Sequence, residues 1–154
     1  MEKTDIIITE TGNYEELIPL FRSSGLEIHA EGGKPQNMIT CWRADDRRGN
    51  LLGGVSIERK KGLFVIGDIA VEKEMRGQNI GGCLLGTAMK CIRQMGGRQI
   101  YLVAKAPKFF EKFGFVYQDE REAPGIFNCK TCAQRGETCF PEFMIWTEKE
   151  QGGR

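Results

Sequence analysis

A strand, a glycine-rich loop and an amphipathic helix follow one another in this chain, and together they constrain its fold most. Leu63–Val71 is almost continuously apolar, as expected for a central strand that is covered on both faces. Apolar residues then recur every three or four positions over residues 80–95, and two glycines end the predicted helix. A second apolar run, Gln99–Ala104, predicts the next strand. This order predicts a right-handed crossover between two parallel strands.

Shorter patterns on either side predict the remaining elements. The β-branched residues of 5–10 predict a first strand, and Asn13 is placed to cap a helix that Pro19 kinks or shortens. Segments 38–43 and 51–59, separated by a polar turn, predict a hairpin. The apolar face of the first helix consists of Tyr14, Leu17, Ile18 and Phe21. The last predicted elements are a short helix at 107–113 and strands at 115–118 and 143–147.

Length and charge restrict the class of protein and its partners. For 154 residues we expect one domain, residues 1–154, built around a single core. The 22 basic and 21 acidic residues nearly cancel, so no long-range field favours nucleic acid as a partner. The apolar run near the N-terminus is too short for a signal sequence or a membrane span. We therefore expect a cytoplasmic monomer or homodimer that binds neither nucleic acid nor membranes.

The loop between the apolar strand and the helix reads E-K-E-M-R-G-Q-N-I-G-G and predicts an anion site. Its glycines let the backbone approach a ligand closely, and the N-terminus of the following helix adds a positive partial charge. Residues 76–82 would then surround an anion with backbone N–H groups. The alternative is a tight strand-to-helix turn that binds nothing.

This loop resembles motif A of the GNAT superfamily of N-acetyltransferases. The family pattern is Arg or Gln, two residues of any type, Gly, any residue, then Gly or Ala, and its defined positions fall on Arg76, Asn79 and Gly81. Asn79 replaces the middle glycine, and asparagine tolerates the left-handed conformation that glycine would supply. The segments D-I-A-V-E-K-E-M-R-G and A-P-K-F-F-E-K-F-G-F, with the order of elements, extend the resemblance over most of the chain.

The resemblance implies an α/β (α+β) fold, with a mixed, mostly antiparallel sheet of about six or seven strands, flanked by helices and splayed at the central parallel pair. It implies an N-acetyltransferase that transfers the acetyl group of acetyl-CoA to a primary amine of a small molecule or amino acid, by direct attack in a ternary complex. An alternative on the same fold is an acyl-CoA-binding or thiol- or zinc-responsive regulatory protein with weak or no turnover. Near-neutral charge argues against a third class, a nucleic-acid-binding zinc module.

The resemblance also assigns the coenzyme to the splay and the loop. Ile69 and Val71 would bind the pantetheine arm through their backbone, and residues 76–82 would bind the pyrophosphate. Two phenylalanines would lie beside the coenzyme. The complete coenzyme-binding set is Ile69, Ala70, Val71, Arg76, Gly77, Gln78, Asn79, Ile80, Gly81, Gly82, Phe109 and Phe110.

Two carboxylates are candidates for the general base. Asp68 interrupts an apolar strand, where burial raises the pKa of a carboxyl group towards the operating pH, and Glu72 follows the strand. Alternatively, Asp68 binds loop amides and Glu72 is solvated. The backbone N–H of Val71 would polarise the thioester carbonyl. Many relatives protonate the leaving thiolate with a tyrosine at the position of Phe110, so that here Tyr117, a water molecule or unassisted departure would have to serve.

Six cysteines in a reducing compartment indicate metal binding, catalysis or packing rather than disulfides. A C-x2-C-x6-C pattern, able to supply three ligands of a zinc ion, consists of Cys129, Cys132 and Cys139. The fourth ligand would be Cys41, His29 or Glu137. Alternatively, the three thiols only shape a loop. The segment resembles a cysteine-bearing insertion in short bacterial proteins similar to N-acetylglutamate synthases, which implies an amino-acid acceptor. Core packing is expected of Cys41, Cys83 and Cys91.

The single histidine lies in the segment after the first helix, which in the GNAT family lines the acceptor site. His29 is flanked there by Glu27 and Glu31, whose carboxylates would hold the ammonium group of an acceptor. The alternative is a structural or exposed histidine without a role in binding.

Overall fold

The computed structural model describes residues 5–24, 37–119, 121 and 142–148, and this part of the chain forms seven strands and three α-helices. The strands are β1 (Ile7–Thr11), β2 (Met38–Asp45), β3 (Leu51–Lys60), β4 (Leu63–Val71), β5 (Gln99–Ala104), β6 (Val116–Tyr117) and β7 (Glu142–Thr147). The helices are α1 (Ile18–Ser23), α2 (Ile80–Gln94) and α3 (Pro107–Glu111), with 3-10 helices at Tyr14–Leu17 and Lys73–Met75. No helix in these described ranges is long and apolar enough to cross a lipid bilayer.

The strands join one sheet in the order β1-β2-β3-β4-β5-β7-β6. Neighbouring strands are antiparallel except β4 and β5, which are parallel and are connected through α2. A mixed, mostly antiparallel sheet flanked by helices confirms the predicted fold class. The predicted crossover between parallel strands and the predicted β2–β3 hairpin are confirmed as well.

The parallel pair is bonded over only part of its length. Phe64 pairs with Ile100 and Val65 pairs with Tyr101, and in the described chain no later residue of β4 has a ladder partner on β5. On its other side, β5 pairs with β7 along its whole length. The two central strands therefore separate after their first few residues, which leaves a gap in the middle of the sheet.

Helices cover both faces of the sheet. One core cluster lies under α2, where Leu84 and Leu85 are fully buried. The other lies under the first helical segment and is centred on Leu17. Because side chains alternate along a strand, neighbouring residues of β2 contribute to different clusters, Cys41 to the second and Trp42 to the first. The two apolar clusters thus lie on opposite faces of the sheet.

The first helical segment differs in detail from its prediction. Residues Tyr14–Leu17 form a 3-10 turn, and α1 begins at Ile18 with Pro19 in its first turn, where the fixed φ of proline fits. Asn13 occupies the N-cap position as predicted, but its side chain makes no capping hydrogen bond. Its Nδ2 instead donates to Oε1 of Glu16 at 3.5 Å.

One cysteine departs from the predicted core packing. Cys83 is exposed on α2, because it lies on the same outer side of the helix as the exposed Gly86. Cys41 is fully buried as predicted, and its Sγ donates to the carbonyl oxygen of Thr11 at 2.9 Å.

Candidate active site

The loop between β4 and α2 passes through two left-handed residues. Gly77 has a φ of 92°, and Asn79, at the N-cap position of α2, has a φ of 63° and a ψ of 21°. Asparagine is among the few residues other than glycine that adopt this conformation at small cost. The left-handed conformation predicted for Asn79 is confirmed.

The first turn of α2 keeps backbone donors available for a ligand. The N–H of Cys83 is bonded to the carbonyl oxygen of Asn79 at 3.1 Å, so the helical ladder begins there. The N–H groups of the three preceding residues have no partner within the helix, as in every helix. In the described chain the side chain of Asn79 does not cap them. The N–H groups available to an anion are those of Ile80, Gly81 and Gly82.

Close packing explains the glycines of this turn. A Cβ on Gly82 would overlap the side-chain oxygen of Asn79 and would lie 3.1 Å from Cζ of Phe113. A Cβ on Gly81 would lie 3.2 Å from Cζ of Phe109 on α3. Both distances are shorter than ordinary van der Waals contact, so glycine lets the loop settle against α3 without displacing its aromatic rings.

The backbone of β4 beside the gap also offers donors. The N–H of Glu72 donates to the carbonyl oxygen of Leu52 on β3 at 2.8 Å. Because backbone groups point alternately to the two sides of a strand, the N–H groups of Ile69 and Val71 face away from β3 and towards the gap. The carbonyl oxygen of Val71 accepts a long bond, 3.4 Å, from Nε of Arg76. Backbone N–H donors are therefore available along β4 beside the gap and in the loop that follows it.

A β-bulge lies at the start of this unpaired stretch. The register between β3 and β4 shifts between Val55 and Ile57, so that Gly67 and Asp68 together oppose Ser56. A Cβ on Gly67 would lie 2.5 Å from Oε2 of Glu58 and 2.8 Å from Oγ of Ser56. The apolar run of β4 is interrupted at the two bulge residues, Gly67 and Asp68. Glycine is required at the first of them because polar side chains occupy the space that a larger residue would need.

Asp68 is held in a polar network within the second core cluster. The hydroxyl of Tyr14 donates to Oδ2 of Asp68 at 2.7 Å, and the N–H of Asp68 donates to Oγ of Ser56 at 3.0 Å. The pKa of the Asp68 carboxyl group is raised to about 6, chiefly by burial. The Tyr14 hydrogen bond lowers this pKa, the charge of Glu58 raises it, and Lys60 and a Ser56 hydrogen bond lower it. Burial and the neighbouring Asp68 also raise the pKa of the Tyr14 hydroxyl, which stays protonated.

Three members of this network were not predicted from the sequence as functional residues. Ser56 is fully buried, and Glu58, 6% exposed, pairs through Oε1 with Nζ of Lys60 at 3.1 Å. Tyr14 was predicted only as part of an apolar helix face. A polar Ser and Glu at alternate positions of a buried strand were the available signal, because such groups are retained in a core only when they have partners.

A cleft of about 500 Å³ opens between the end of α1 and the loop after β4, and its walls are Ser23, Ser24, Glu72, Lys73 and Arg76. Glu72 is therefore a cleft residue, on the same face of the chain as Asp68 by strand alternation. Asp68 lies deeper, at the bulge. The two carboxylates predicted as general-base candidates thus differ in exposure: Asp68 is half-buried and Glu72 is exposed.

The two neighbouring phenylalanines of α3 occupy different environments. Phe109 is partly buried and packs against Gly81 at the start of α2. Phe110 is 6% exposed and packs edge-on against Phe109 and Phe115, at ring centroid distances of 5.0 and 5.9 Å. Tyr117, considered as a substitute acid, lies on the edge strand β6, with β7 and β5 between it and β4.

Several predicted site residues lie outside the described residues. They are Glu27, His29, Glu31, Cys129, Cys132 and Cys139. Within the described ranges, no group of three or more His, Cys, Asp or Glu side chains could hold a metal ion. The zinc ion and the acceptor contacts of the first loop therefore stay predictions.

Comparison with protein families gives one match. A model described as an acetyltransferase (GNAT) domain matches residues 37–117, more than half of the 154 residues. This range covers the bulge, the gap, the loop and α3. A search of curated protein sequences finds no match.

Solved structures with the same fold are numerous. A GNAT-family acetyltransferase from Staphylococcus aureus is similar with a TM-score of 0.72 and 20% identity, covering 94% of this chain and 100% of that one. N-acetylglutamate synthase from Neisseria gonorrhoeae, complexed with coenzyme A and N-acetyl-glutamate, has a TM-score of 0.74 and 17% identity, covering 97% of this chain but 36% of that one. PaiA N-acetyltransferase from Thermoplasma acidophilum, in complex with coenzyme A, has a TM-score of 0.64 and 15% identity, covering 93% and 99%. At these identities the likeness establishes the fold.

Proposed function

Because the chain belongs to the GNAT family of acetyl-CoA-dependent N-acetyltransferases, we propose that it acetylates a primary amine of a small molecule or amino acid. The observation that carries this proposal is the gap between β4 and β5, which ends at the left-handed loop before α2. A gap of this kind admits the extended arm of a ligand, and the loop offers hydrogen-bond donors for an anionic group at the end of that arm.

The residues fit acetyl-CoA, which supplies the thioester whose acetyl group is transferred. The backbone N–H groups of Ile69 and Val71 would bind the pantetheine arm. The N–H groups of residues 80–82 would bind the pyrophosphate, and Arg76 would add a charged donor. The packing of Phe109 beside Gly81, where a Cβ would lie 3.2 Å from Cζ of the ring, supports this fit, because close packing limits the conformations of the loop before the ligand arrives.

Asp68 would act as the general base. An amine reaches the site mainly as an ammonium ion and must lose a proton before its nitrogen can attack. Asp68 would accept that proton, since its raised pKa of about 6 lies near the operating pH. The N–H of Val71, which faces the gap, would donate to the oxygen on which charge develops. Phe110 has no proton to donate, so we propose that the C–S bond breaks without a tyrosine acid: coenzyme A leaves as the thiolate, and the second proton of the nitrogen passes to water.

The acceptor would enter from the cleft beside the loop. Glu72 brings a carboxylate to this cleft, which favours a cationic group in the approaching molecule. The fold-level likeness to an enzyme that holds N-acetyl-glutamate makes amino acids the first acceptors to screen.

The first experiment is isothermal titration with acetyl-CoA, followed by a coenzyme A release screen over amines. Arg76→Ala should weaken acetyl-CoA binding about tenfold, whereas Lys90→Ala, which removes a cation from the exposed side of α2, should not. A wild-type protein that fails to bind acetyl-CoA would refute the proposal. Binding without turnover on any amine would instead favour an acyl-CoA-binding regulatory protein.

The second experiment tests the base. Asp68→Asn should lower kcat by about 10² to 10⁴-fold without changing the affinity for acetyl-CoA. Asp46→Asn, a change in the exposed β2–β3 turn, is the matched control. In the wild type, kcat/KM should rise with pH through about 6. Unchanged turnover of the Asp68 variant across this range would remove Asp68 from the mechanism.

A further inference from the structure

The contact between Tyr14 and Asp68 joins two parts of the chain that are 54 residues apart. Tyr14 opens the 3-10 turn before α1 and is 2% exposed, with its ring packed against Phe21 at a centroid distance of 5.7 Å. Packing alone would be satisfied by phenylalanine. The hydroxyl is present in addition, and it points at the carboxylate at 2.7 Å.

Four side chains of the described elements face Asp68. From β3 come Ser56, Glu58 and Lys60, and from the 3-10 turn comes Tyr14, which itself lies near Cys41 of β2. Glu58 and Lys60 carry opposite charges and pair with each other at 3.1 Å. Two neutral hydroxyl groups, those of Tyr14 and Ser56, lower the pKa of Asp68; the effect of Tyr14 is the larger, and its hydroxyl donates to Oδ2 at 2.7 Å.

This arrangement restricts how the carboxylate of Asp68 can turn. Its backbone is fixed on one side by the N–H bond to Oγ of Ser56. Its Oδ2 is fixed by the hydroxyl of Tyr14. We propose that Tyr14 is a positioning residue for the base: it holds Asp68 through Oδ2, so that Oδ1 takes the proton of the acceptor. This inference rests on the proposed role of Asp68 as the base.

The hydrogen bond has a second consequence for proton transfer. A donor that binds the ionised carboxylate favours the charged form, and so it opposes the effect of burial on the pKa of Asp68. Without the hydroxyl, burial and Glu58 act with less opposition, and the pKa of Asp68 rises. A purely structural tyrosine would have no such effect on the pH dependence of the reaction.

Tyr14→Phe separates these two possibilities. The variant should shift the acidic limb of the kcat/KM profile upwards by about one pH unit. It should leave the affinity for acetyl-CoA unchanged. The matched control is Tyr101→Phe, because Tyr101 is also buried, at 8% exposure, and its hydroxyl donates elsewhere, to Oε1 of Gln99 at 3.3 Å. The control should cause no shift of the limb.

Contrary outcomes are distinguishable. If Tyr14→Phe lowers kcat/KM by the same factor at every pH, Tyr14 is structural and the inference is wrong. If Asp68→Asn retains turnover, it is the proposed base that fails. If a single variant is too unstable for the turnover assay, urea unfolding provides the test instead. The free energies of unfolding of the wild type, of both single variants and of the Tyr14→Phe/Asp68→Asn double variant are then compared. Coupling predicts that the Tyr14 change costs less in the Asp68→Asn background than in the wild type. Equal costs would contradict the contact.

Discussion

The side chain of Asn79 occupies the space that a Cβ on Gly82 would need. Asn79 is left-handed, and its turn brings its amide group back over the first turn of α2. The two residues therefore depend on each other: Asn79 makes the left-handed turn, and Gly82 leaves space for the side chain of Asn79. Substitutions at either position test the shape of the loop separately from its charge.

Gly82→Ala should weaken acetyl-CoA binding about tenfold, because the new methyl group displaces Asn79 and covers the N–H groups of the turn. Gly86→Ala is the matched control on the same helix. A Cβ on Gly86 meets nothing within 4 Å, so this change should stabilise α2 by about 1 kcal/mol and leave binding unchanged. Titration calorimetry and urea unfolding of both variants provide the comparison. Equal affinities in the two variants would argue against a ligand at this turn.

Asn79→Gly should be tolerated, since glycine adopts the φ of 63° freely. Asn79→Val should lower the free energy of unfolding by about 1 to 2 kcal/mol, because a β-branched residue is strained in the left-handed region. The valine variant should also bind acetyl-CoA more weakly than the glycine variant. A valine variant as stable as the wild type would show that the loop had moved to another conformation.

Gly67→Ala should damage the bulge. The new Cβ would lie 2.5 Å from Oε2 of Glu58, and relieving that contact should cost about 1 to 3 kcal/mol of unfolding free energy. Because Asp68 is the next residue, kcat should fall as well. Gly12→Ala is the control, since a Cβ there meets nothing within 4 Å. Thermal unfolding and turnover are the measurements, and a Gly67 variant that matches the control in both would contradict the account of the bulge.

Asp68→Asn should stabilise the protein at neutral pH although it removes the proposed base. Folding raises the pKa of Asp68 from 3.8 to about 6, so its contribution to stability is complete below about pH 3.8 and is lost as the pH rises through about 6. This shift corresponds to about 3 kcal/mol. Asparagine cannot ionise, and its amide oxygen accepts only a weaker, neutral hydrogen bond from Tyr14. We expect urea unfolding to show a gain of about 1 to 3 kcal/mol at pH 8 and a much smaller gain at pH 4. A loss at both pH values would exclude a destabilising charge.

The central strands could be predicted from the sequence because their apolar runs have clear ends. Both bounds of β4 and of β5 match their predictions, since each run is apolar and is followed by a glycine-rich or polar turn. The left-handed Asn79 was also predictable, because the conformational preference of asparagine is local.

The partners of Asp68 could not be predicted in the same way. Helical periodicity correctly predicted that the ring of Tyr14 is buried, but it contains no information about a carboxylate 54 residues away. That contact depends on how the first helical turn crosses the bulge. The prediction that Cys83 packs in the core was wrong for a different reason. A helix with many small residues has no sharp border between its apolar and polar sides.

The separation of β4 from β5 has a consequence for how this protein avoids associating with other chains. Unpaired strand edges at the rim of a sheet are templates for another polypeptide, and natural proteins restrict them. Among the described strands, the unpaired stretch of β4 lies in the interior of the sheet, between two strands that are still bonded at their beginning. The molecule can thus keep free backbone groups for a slender ligand without offering them to a second sheet.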